Sequence, residues 1–378
     1  MDPLNILHVF RAPVGGLFRH VFDLASAQAV RGHRVGIIAD STTGGARAEA
    51  MLSRLAPSLA LGLTRYPMRR QIGLGDLPAL RHVMRRINDA KADIVHGHGA
   101  KGGAFARMAF NRRSAARAYT PHGGSLLFPQ DSLAGKVYLA TERLLMLGGD
   151  LYLFESGYSA EMFRRKIGEP RGLSRIVHNG VARSEFEPIP VKPDASDLVF
   201  MGELRMLKGV DVLIDAIAQL QAQGQPVTAT LIGDGPDRAV FQAQVARLGL
   251  ESTVHFTGAM PVRQALTLGR VMVVPSRLES LPYAVLETAA AGKPLITTRV
   301  GGIPEIFGPL SDRLVPADDA GALAAAIDQT LKQPEAALAV AESLRNRIAA
   351  SFSIDSMVDG VLAAYQDVLA ALHRSGRR

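Results

Sequence analysis

The 378-residue sequence contains no cysteine and no tryptophan. Without cysteine it has no disulfides and no thiolate metal ligands, which is compatible with a reducing compartment. Without tryptophan, and without alternating aromatic and basic residues, a nucleic-acid partner is not expected. The apolar stretch at 137–154 is interrupted by Glu142, Arg143 and Asp150, whereas a membrane-spanning helix needs about 18 uncharged residues. The apolar segment 4–10 is too short for a signal peptide, so we expect a cytoplasmic protein.

Acidic and basic residues are divided unequally along the chain. Residues 1–190 hold 26 Lys and Arg against 15 Asp and Glu, whereas residues 191–378 hold 17 against 20. The change coincides with a proline-rich segment at 186–197, FEPIPVKPDASD, which is typical of an extended linker. We therefore predict two domains, residues 1–188 and 189–378, with the last helix, about 354–373, free to pack back on the first domain.

Short apolar strands alternate with helical periodicity in both halves, which is typical of parallel sheets covered by helices on both faces. The predicted strands are NILHVF, RVGIIA, DIVHGH, RAYTPH and DLYLFES in the first half, and DLVFMG, VTATLIG, VHFTG, VMVVPS and PLITT in the second. The predicted fold class is α/β, with two doubly wound, Rossmann-like domains. We expect them to face each other across a cleft, with ligands bound beyond the carboxyl ends of the strands.

Glycine-rich and charged segments follow several of these strands, where a ligand would bind. Gly15 and Gly16 lie between the first strand and its helix, so their amides and the positive end of the helix suit a phosphate. The segments HGHGAKGG and TPHGG follow the third and fourth strands, and GELRMLKG follows the first strand of the second half. Any one of them is also consistent with a simple glycine turn, and only their shared placement predicts a site.

Two glutamates, Glu279 and Glu287, flank the start of a predicted helix. The helix is predicted to have Pro282 at its first position, where the missing amide costs nothing, and to end at Gly292. Interaction with the helix dipole would explain Glu279, which lies in the turn ahead of the helix. It does not explain Glu287, about 1.5 turns inside the helix among apolar neighbours. Carboxylates in a cleft commonly accept hydrogen bonds from paired hydroxyls, so the pair predicts a sugar or ribose partner.

The order of these segments resembles the retaining GT-B glycosyltransferases of glycosyltransferase family four. The residues that carry the resemblance are GG…RGHRV, DIVHGHGAKGG, YTPHGG, VHNGV, GELRMLKG, LIGDGPDR, VHFTG and PSRLESLPYAVLETAAAGKPLITTRVGGIPE. The match extends over nearly the whole chain, and the paired glutamates followed by GKP and GGIPE are its most specific part. The resemblance implies a GT-B fold, with an N-terminal acceptor-binding domain and a C-terminal domain that binds a UDP- or GDP-linked sugar.

The same resemblance implies roles for individual residues. Glu279 would contact hydroxyls of the donor sugar, Glu287 would hold the ribose, and Lys208 would hold the diphosphate. His122 would lie near the reacting sugar, although a histidine packed beneath a glycine turn is the alternative. The implied catalytic residues are His122, Glu279 and Lys208. The implied donor-binding residues are Gly15, Gly16, Arg205, Lys208, Glu279, Ser280, Leu281 and Glu287.

One position departs from the family pattern. The arginine that usually follows the first glycine of the lysine motif is replaced by Glu203. Arg205, two residues further on, would point to the same side of an extended segment, which makes it the candidate phosphate ligand. The candidates on the acceptor side are His96, His98 and Lys101.

No metal ligand and no cofactor are predicted. The sequence has no D-x-D triad, the usual carboxylate pair for a metal that bridges a diphosphate, so we expect metal-independent transfer. Retention of anomeric configuration is implied by the family alone. The two glutamates are not a glycosidase acid and nucleophile pair, because their implied partners are hydroxyls.

The expected function is hexosyl transfer from a nucleotide diphosphate sugar to a saccharide or lipid-linked acceptor, in bacterial surface polysaccharide or lipopolysaccharide synthesis. A nicotinamide dehydrogenase is disfavoured because FRAPVGG, after the first strand, lacks G-x-G-x-x-G, and a nucleophile-elbow hydrolase because GGSLL is not G-x-S-x-G. A nucleotide-sugar epimerase of the same fold and a non-catalytic sugar-nucleotide-binding relative remain alternatives.

A basic helix is predicted at residues 76–91, DLPALRHVMRRINDAK. Helical spacing predicts that its core-facing residues are Leu77, Leu80, Met84 and Ile87. The residues predicted to point outward are Arg81, His82, Arg85 and Arg86, with Arg69 and Arg70 just ahead of the helix. This face is consistent with an ordinary solvated surface. It is also consistent with peripheral binding to the anionic inner face of the cytoplasmic membrane.

Overall fold

A computed structural model describes residues 2–71, 73–109, 115–127 and 131–376. The chain divides into two compact units. The first comprises the described residues up to Asn179 together with those from Ile354 onward, and the second comprises Gly180–Ser353. The division of roles between an acceptor-binding and a nucleotide-sugar-binding domain, with a boundary after residue 188, stays a prediction.

The first unit is a seven-stranded sheet with helices packed on it. Its strands are β1 (Asn5–Phe10), β2 (Arg34–Asp40), β3 (Gly62–Tyr66), β4 (Ile94–His98), β5 (Ala116–Thr120), β6 (Leu151–Phe154) and β7 (Leu173–Ile176). Its helices are α1 (Gly15–Val30), α2 (Gly45–Leu55), α3 (Asp76–Asp89), α4 (Gly99–Met108), α5 (Leu133–Leu145), α6 (Gly157–Lys166) and, late in the chain, α14 (Ile354–Arg374).

The second unit repeats the pattern with a five-stranded sheet. Its strands are β8 (Ser196–Met201), β9 (Ala229–Ile232), β10 (Val254–Thr257), β11 (Gly269–Val274) and β12 (Leu295–Thr297). Its helices are α7 (Val210–Ala222), α8 (Arg238–Arg247), α9 (Val262–Ala265), α10 (Tyr283–Ala290), α11 (Ile303–Phe307), α12 (Ala320–Lys332) and α13 (Pro334–Ser351).

Both sheets are parallel and doubly wound. The strand orders are β3-β2-β1-β4-β5-β6-β7 and β10-β9-β8-β11-β12. In the first sheet the strand order reverses between β1 and β4, which pair with each other. In the second sheet it reverses between β8 and β11, which also pair. Ligands of such sheets bind beyond the carboxyl ends of these strands. The segments that follow these four strands are therefore the first places to search for a site.

All ten predicted strands are present, and two further strands, β3 and β7, were not predicted. Both lie at the edges of the first sheet. No residue of β3 is fully buried, and two of the four residues of β7 are exposed. An edge strand covers less core than a central strand, so its sequence needs fewer apolar residues and gives a weaker pattern.

The last helix, α14, packs in the first unit. Its buried side chains Val358, Val361 and Tyr365 belong to a core cluster with Leu24 of α1 and Leu153 of β6. The second unit has its own cores on the two faces of its sheet. Among the helices of the described residues, none is long and apolar enough to cross a membrane.

Helix α3 forms over the predicted segment, but its buried face is rotated. Leu77, expected in the core, is 54% exposed, whereas Ala79, Val83 and Ile87 are buried. A small alanine lets a helix approach its neighbours closely, and a pattern based on large apolar residues misses it. Two residues expected to point outward are also half-buried: the ring of His82 stacks on Tyr66, and Arg86 Nη2 donates to the carbonyl of Leu61 at 2.6 Å. The orientation predicted for Leu77, His82 and Arg86 was therefore wrong.

Candidate functional site

Helix α10 places the two glutamates of the second unit. It begins at Tyr283, so Pro282 is its N-cap and not its first helical residue as predicted. Gly292 follows the end of the helix with φ of +65°. Glu279 lies in the turn between β11 and α10, as expected. Glu287 lies inside the helix and is only 5% exposed. A buried carboxylate is costly unless polar groups surround it.

Glu279 is held in a small polar cluster. Its Oε1 accepts hydrogen bonds from Lys208 Nζ and from Ser276 Oγ, each at 2.7 Å. The side chains of Lys208 and Glu279 are 27% and 10% exposed. The structure therefore brings together two of the three predicted catalytic residues, which come from the turns after β8 and β11.

Gly209, in the turn after β8, and Gly301, in the segment after β12, let the backbone approach the turn that carries Glu279. A Cβ on Gly209 would lie 1.9 Å from the carbonyl oxygen of Pro275, and a Cβ on Gly301 would lie 1.7 Å from that of Glu279. Both glycines have positive φ, +67° and +58°, which side-chain-bearing residues rarely adopt. Arg277 adds a clamp, since its guanidinium donates to both carboxylate oxygens of Asp211 at 2.7 and 2.6 Å. Close backbone contacts and the Arg277–Asp211 ion pair thus hold the turns that carry Lys208 and Glu279.

The other predicted donor-binding residues of this unit lie around the same turns. Ser280 accepts a hydrogen bond at its carbonyl from the amide of Gly302 at 2.9 Å. The side chain of Leu281 is buried in the core, so only its backbone can face a ligand. Arg205 Nη2 pairs with Glu203 Oε1 at 2.9 Å. Glu203, which stands where the family usually has an arginine, therefore pairs with Arg205, the candidate for the role of that arginine.

Gly15 and Gly16 form the start of α1 in the first unit. Gly15 has φ of +64°, and no atom lies within 4 Å of the position that a Cβ would occupy. Both glycines are exposed, and the N-cap Val14 supplies no side-chain hydrogen bond. The first turn of the helix is therefore open to a phosphate, as predicted from its amides, although its role as a ligand stays a prediction.

His122 lies directly after β5 with a strained backbone. Its φ is +50°, and Gly123 and Gly124 follow it with φ of +75° and +34°. A non-glycine residue in this region costs free energy, which is commonly tolerated at functional sites. Its ring borders a cavity of about 240 Å³ in the first unit. The cavity is lined by Arg11, Ala12, Leu17, Arg70, His98, Gly99, Ala100, Lys101, Ala104, His122, Gly124, Tyr138, Thr141, Glu142 and Leu145.

The three acceptor-side candidates divide into two groups. His98 and Lys101 line this cavity, where Lys101 Nζ also donates to both oxygens of Asp76 at 2.8 Å. His96 is fully buried, with Nδ1 2.7 Å from the hydroxyl of Tyr365 and Nε2 2.8 Å from Thr120 Oγ1. Both of its ring nitrogens are occupied inside the protein, so His96 does not offer a free nitrogen to an acceptor.

A cluster of five histidines was not predicted as a unit. It consists of His8, His20, His96, His98 and His122, and its closest ring centroids, those of His96 and His98, are 3.9 Å apart. The available signal was His8 within the apolar strand NILHVF, because a polar residue in a buried strand needs a partner. His20 contacts Asn179 Oδ1 through Nδ1 at 2.9 Å, and within the described residues its buried Nε2 has no hydrogen-bond partner.

Burial keeps this cluster neutral. It lowers the pKa of His8 and of His20 to about 4, against an ordinary value of 6.5. The pKa values of His96, His98 and His122 are also lowered well below 6.5, first by burial and then by the charge that neighbouring histidines would carry. Each ring therefore carries one N–H and one lone pair at neutral pH. The sets His8, His96, His98 and His20, His98, His122 each place three nitrogens within 4.8 Å of one another, a spacing that can hold a metal ion.

Comparison with known proteins identifies the architecture. A model described as Glycosyltransferase Family 4 matches residues 14–185, and one described as Glycosyl transferases group 1 matches residues 195–333. The structure of Anabaena HepE in complex with UDP superimposes with a TM-score of 0.77 at 19% identity, over 96% of this chain and 99% of that one. The chain has the GT-B fold.

Two relatives of this chain show how far sequence similarity extends. The putative colanic acid biosynthesis glycosyltransferase WcaL of Escherichia coli K12 is 33% identical over 50% of this chain and 49% of its own length. A phosphatidylinositol N-acetylglucosaminyltransferase component from Arabidopsis thaliana is 28% identical over 62% of this chain and 52% of its own length. The matches thus span about half the length of these relatives.

Proposed function

We propose that the protein is a retaining, metal-independent hexosyltransferase that uses a nucleotide diphosphate sugar as donor. The observation that carries the proposal is the hydrogen bond of 2.7 Å between Lys208 Nζ and Glu279 Oε1 at the carboxyl edge of the second sheet. One cation and one carboxylate are thereby held together where such folds bind nucleotides. The matched family models and the UDP of HepE support the same donor chemistry.

The Lys208–Glu279 pair suggests how the donor would be held. Without donor, each charge neutralises the other. When a diphosphate sugar binds, the ammonium of Lys208 would turn to the diphosphate, and Glu279 would accept hydrogen bonds from the sugar hydroxyls. The diphosphate gains negative charge as the glycosidic bond breaks, so a positioned cation stabilises the transition state more than the ground state.

Glu287 would hold the ribose of the nucleotide. Its carboxylate is almost fully buried inside α10, where two vicinal hydroxyls could supply two hydrogen bonds at once. In the first unit, the open first turn at Gly15 and Gly16 would bind phosphate oxygens, and His122 would lie beside the reacting sugar. Ser280 and Leu281 would contribute backbone groups, and Arg205 would bind phosphate only after leaving Glu203.

The acceptor is proposed to be a saccharide or a lipid-linked saccharide in bacterial surface polysaccharide or lipopolysaccharide synthesis. The names of two similar proteins, a colanic acid glycosyltransferase and WaaG of lipopolysaccharide biosynthesis, support this class. Helix α5 adds a second feature, because Leu133, Val137 and Leu144 are more than half exposed on it. Exposed apolar residues on a basic unit suit a lipid surface, and we propose a peripheral, cytoplasmic location.

Calorimetry with free nucleoside diphosphates tests the donor site. We expect UDP or GDP to bind the parent protein, and Glu287→Gln to weaken binding by about 10-fold or more because a charged acceptor of two hydroxyls is lost. The exposed Glu335→Gln, at the start of α13, is the matched control and should bind as the parent does. Unchanged affinity in Glu287→Gln would remove its proposed role as a ribose ligand.

A further inference from the structure

A continuous hydrogen-bonded chain runs from helix α1 to the cavity in the first unit. It begins at Gln28, whose Oε1 lies 2.8 Å from His8 Nε2. His8 Nδ1 lies 3.0 Å from His98 Nε2, and His98 Nδ1 lies 3.1 Å from His122 Nε2. Gln28, His8 and His98 are buried, and only His122 at the end is partly exposed. The chain thus connects a buried carboxamide to a ring that borders the cavity.

Each link of this chain fixes the next. Two imidazoles share a hydrogen bond only if one presents an N–H and the other a lone pair, and a neutral imidazole has one of each. Gln28 Oε1 can only accept, so His8 carries its proton on Nε2 and accepts at Nδ1. His98 then donates from Nε2 and accepts at Nδ1, and His122 donates from Nε2. The second nitrogen of His122, Nδ1, is left with a lone pair.

We propose that Gln28 is a positioning residue that acts through His8 and His98 to keep the proton of His122 on Nε2. The inference rests on the proposed function, in which His122 borders the reacting sugar. Its consequence there is specific: Nδ1 of His122 can accept a hydrogen bond from a sugar hydroxyl and cannot donate one. A carboxamide turned by half a rotation would present its NH₂ to His8, reverse every link and put a proton on Nδ1.

The neutral state of the three histidines keeps the chain in one direction. Burial lowers the pKa values of all three histidines, so at neutral pH no imidazolium with two N–H groups interrupts it. The carboxamide of Gln28 also neighbours the hydroxyl of Tyr365 on α14, whose pKa is raised by burial. The NH₂ group of Gln28 is buried and has no hydrogen-bond partner among the described residues, so the bonded atom of the carboxamide is Oε1.

Nitrogen-15 NMR of histidine-labelled protein tests the inference directly, because two-bond proton–nitrogen correlations distinguish the two neutral tautomers of each ring. We expect the Nε2–H tautomer for His8, His98 and His122 in the parent protein near pH 7. His33 serves as an internal reference, since its Nδ1 accepts from the amide of Leu4 at 3.1 Å independently of this chain.

The variant Gln28→Met keeps a similar volume but removes the acceptor. We expect His122 to become a mixture of tautomers, His33 to stay unchanged, and kcat to fall about 10-fold or more while nucleoside diphosphate affinity is kept, because a wrong tautomer impairs the reaction rather than binding. The exposed Gln242→Met on α8 is the matched control and should leave both spectra and turnover as in the parent.

Several outcomes would overturn the inference. They are an Nδ1–H tautomer at His122 in the parent, an unchanged His122 tautomer in Gln28→Met, and spectra of a metal-bound His98 or His122 that chelator converts to the free form. The spectra do not depend on turnover. A protein that shows the expected tautomers but transfers no sugar would contradict the proposed function and leave the positioning role of Gln28 intact.

Discussion

At the scale of single residues, the side chains of the candidate site are held by other polar groups before any ligand binds. Lys208 and Ser276 both donate to Glu279, and Gln28 starts the chain that ends at His122. Groups fixed in this way lose little freedom when a substrate arrives, which favours catalysis.

Lys293 differs from them, because it is buried and none of the hydrogen bonds or ion pairs found among the described residues involves its amine.

Lys293 should make stability depend on pH. Burial lowers its pKa from 10.5 to about 8. Between pH 8 and 10.5 the unfolded chain binds this proton and the folded protein does not, so the free energy of unfolding should rise with pH across this range. Below pH 8 the folded state carries the full cost of the buried charge, about 3 kcal/mol. Lys293→Met should therefore stabilise the protein at pH 7 and remove the rise, as measured by urea unfolding.

The exposed lysine Lys332, which pairs with Asp328 on α12, provides the control for this measurement. Lys332→Met should change the free energy of unfolding by less than about 1 kcal/mol at pH 7, because exposed ion pairs contribute little. A Lys293→Met protein that is less stable than the parent at pH 7 would show that the amine has a stabilising partner.

At the scale of elements, the turns that flank α10 and precede α7 depend on backbone conformations that glycine alone adopts readily. Gly301→Ala would combine a φ of +58° with a contact of 1.7 Å to the carbonyl of Glu279. We expect it to lower both stability and turnover, because the turn that carries Glu279 must move. Gly224→Ala isolates the effect of φ, since Gly224 has φ of +74° and no atom within 4 Å of its Cβ position.

Urea unfolding of the two variants separates the cost of a positive φ at alanine from the cost of displacing the turn that carries Glu279. Gly224→Ala should cost about 1 kcal/mol and leave turnover unchanged. Gly301→Ala should cost clearly more and reduce turnover strongly. Equal losses of stability, together with full activity of Gly301→Ala, would mean that the turn relaxes without moving Glu279.

Most of the fold could be predicted from the sequence, because central parallel strands are continuous apolar runs and turns after them are rich in glycine. Glu279 and Glu287 were recognisable from their spacing around Pro282 and Gly292. The histidine cluster was not, because its members come from α1, β1, β4 and the turn after β5. The pairing of β1 with β4 and of β4 with β5 brings His8, His96, His98 and His122 together, and α1 adds His20.

The buried face of α3 was mispredicted for a similar reason. Its register against the sheet is set by Ala79, whose small side chain contributes little to a hydrophobic pattern but allows close packing. The contact of Arg86 with the carbonyl of Leu61 joins α3 to the segment before β3, a strand that the sequence did not predict. Because β3 was not predicted, the partners of His82 and Arg86 on α3, which are Tyr66 and Leu61, could not be predicted either.

At the scale of the whole molecule, the excess of positive charge lies in the N-terminal half. Arg69, Arg70, Arg81 and Arg85 are exposed, whereas Arg86 is half-buried and bonded. Each exposed arginine near an anionic membrane contributes about 1 kcal/mol, so the four together would give roughly 4 kcal/mol, or about 10³-fold in affinity. Sedimentation with anionic and neutral vesicles should show binding to the anionic ones only, weakened by salt.

Changing these four arginines to glutamate should abolish the binding while keeping the fold, since none of them is buried. A control with Arg247→Glu and Arg313→Glu, both on the second unit and neither of them buried, should still bind. Vesicle binding that ignores lipid charge or survives the four reversals would show that this surface has another purpose.

The second unit is proposed to hold a nucleotide diphosphate sugar whose leaving group Lys208 stabilises. The most direct measurement is the release of nucleoside diphosphate from UDP- and GDP-linked sugars by the parent, Lys208→Ala and Lys332→Ala, each with and without chelator. We predict that Lys208→Ala lowers turnover by about 10²–10³-fold, comparable to the loss of one preorganised donor, and that Lys332→Ala and chelator have no effect. Full turnover by Lys208→Ala, or parent activity that chelator abolishes and magnesium restores, would contradict the account.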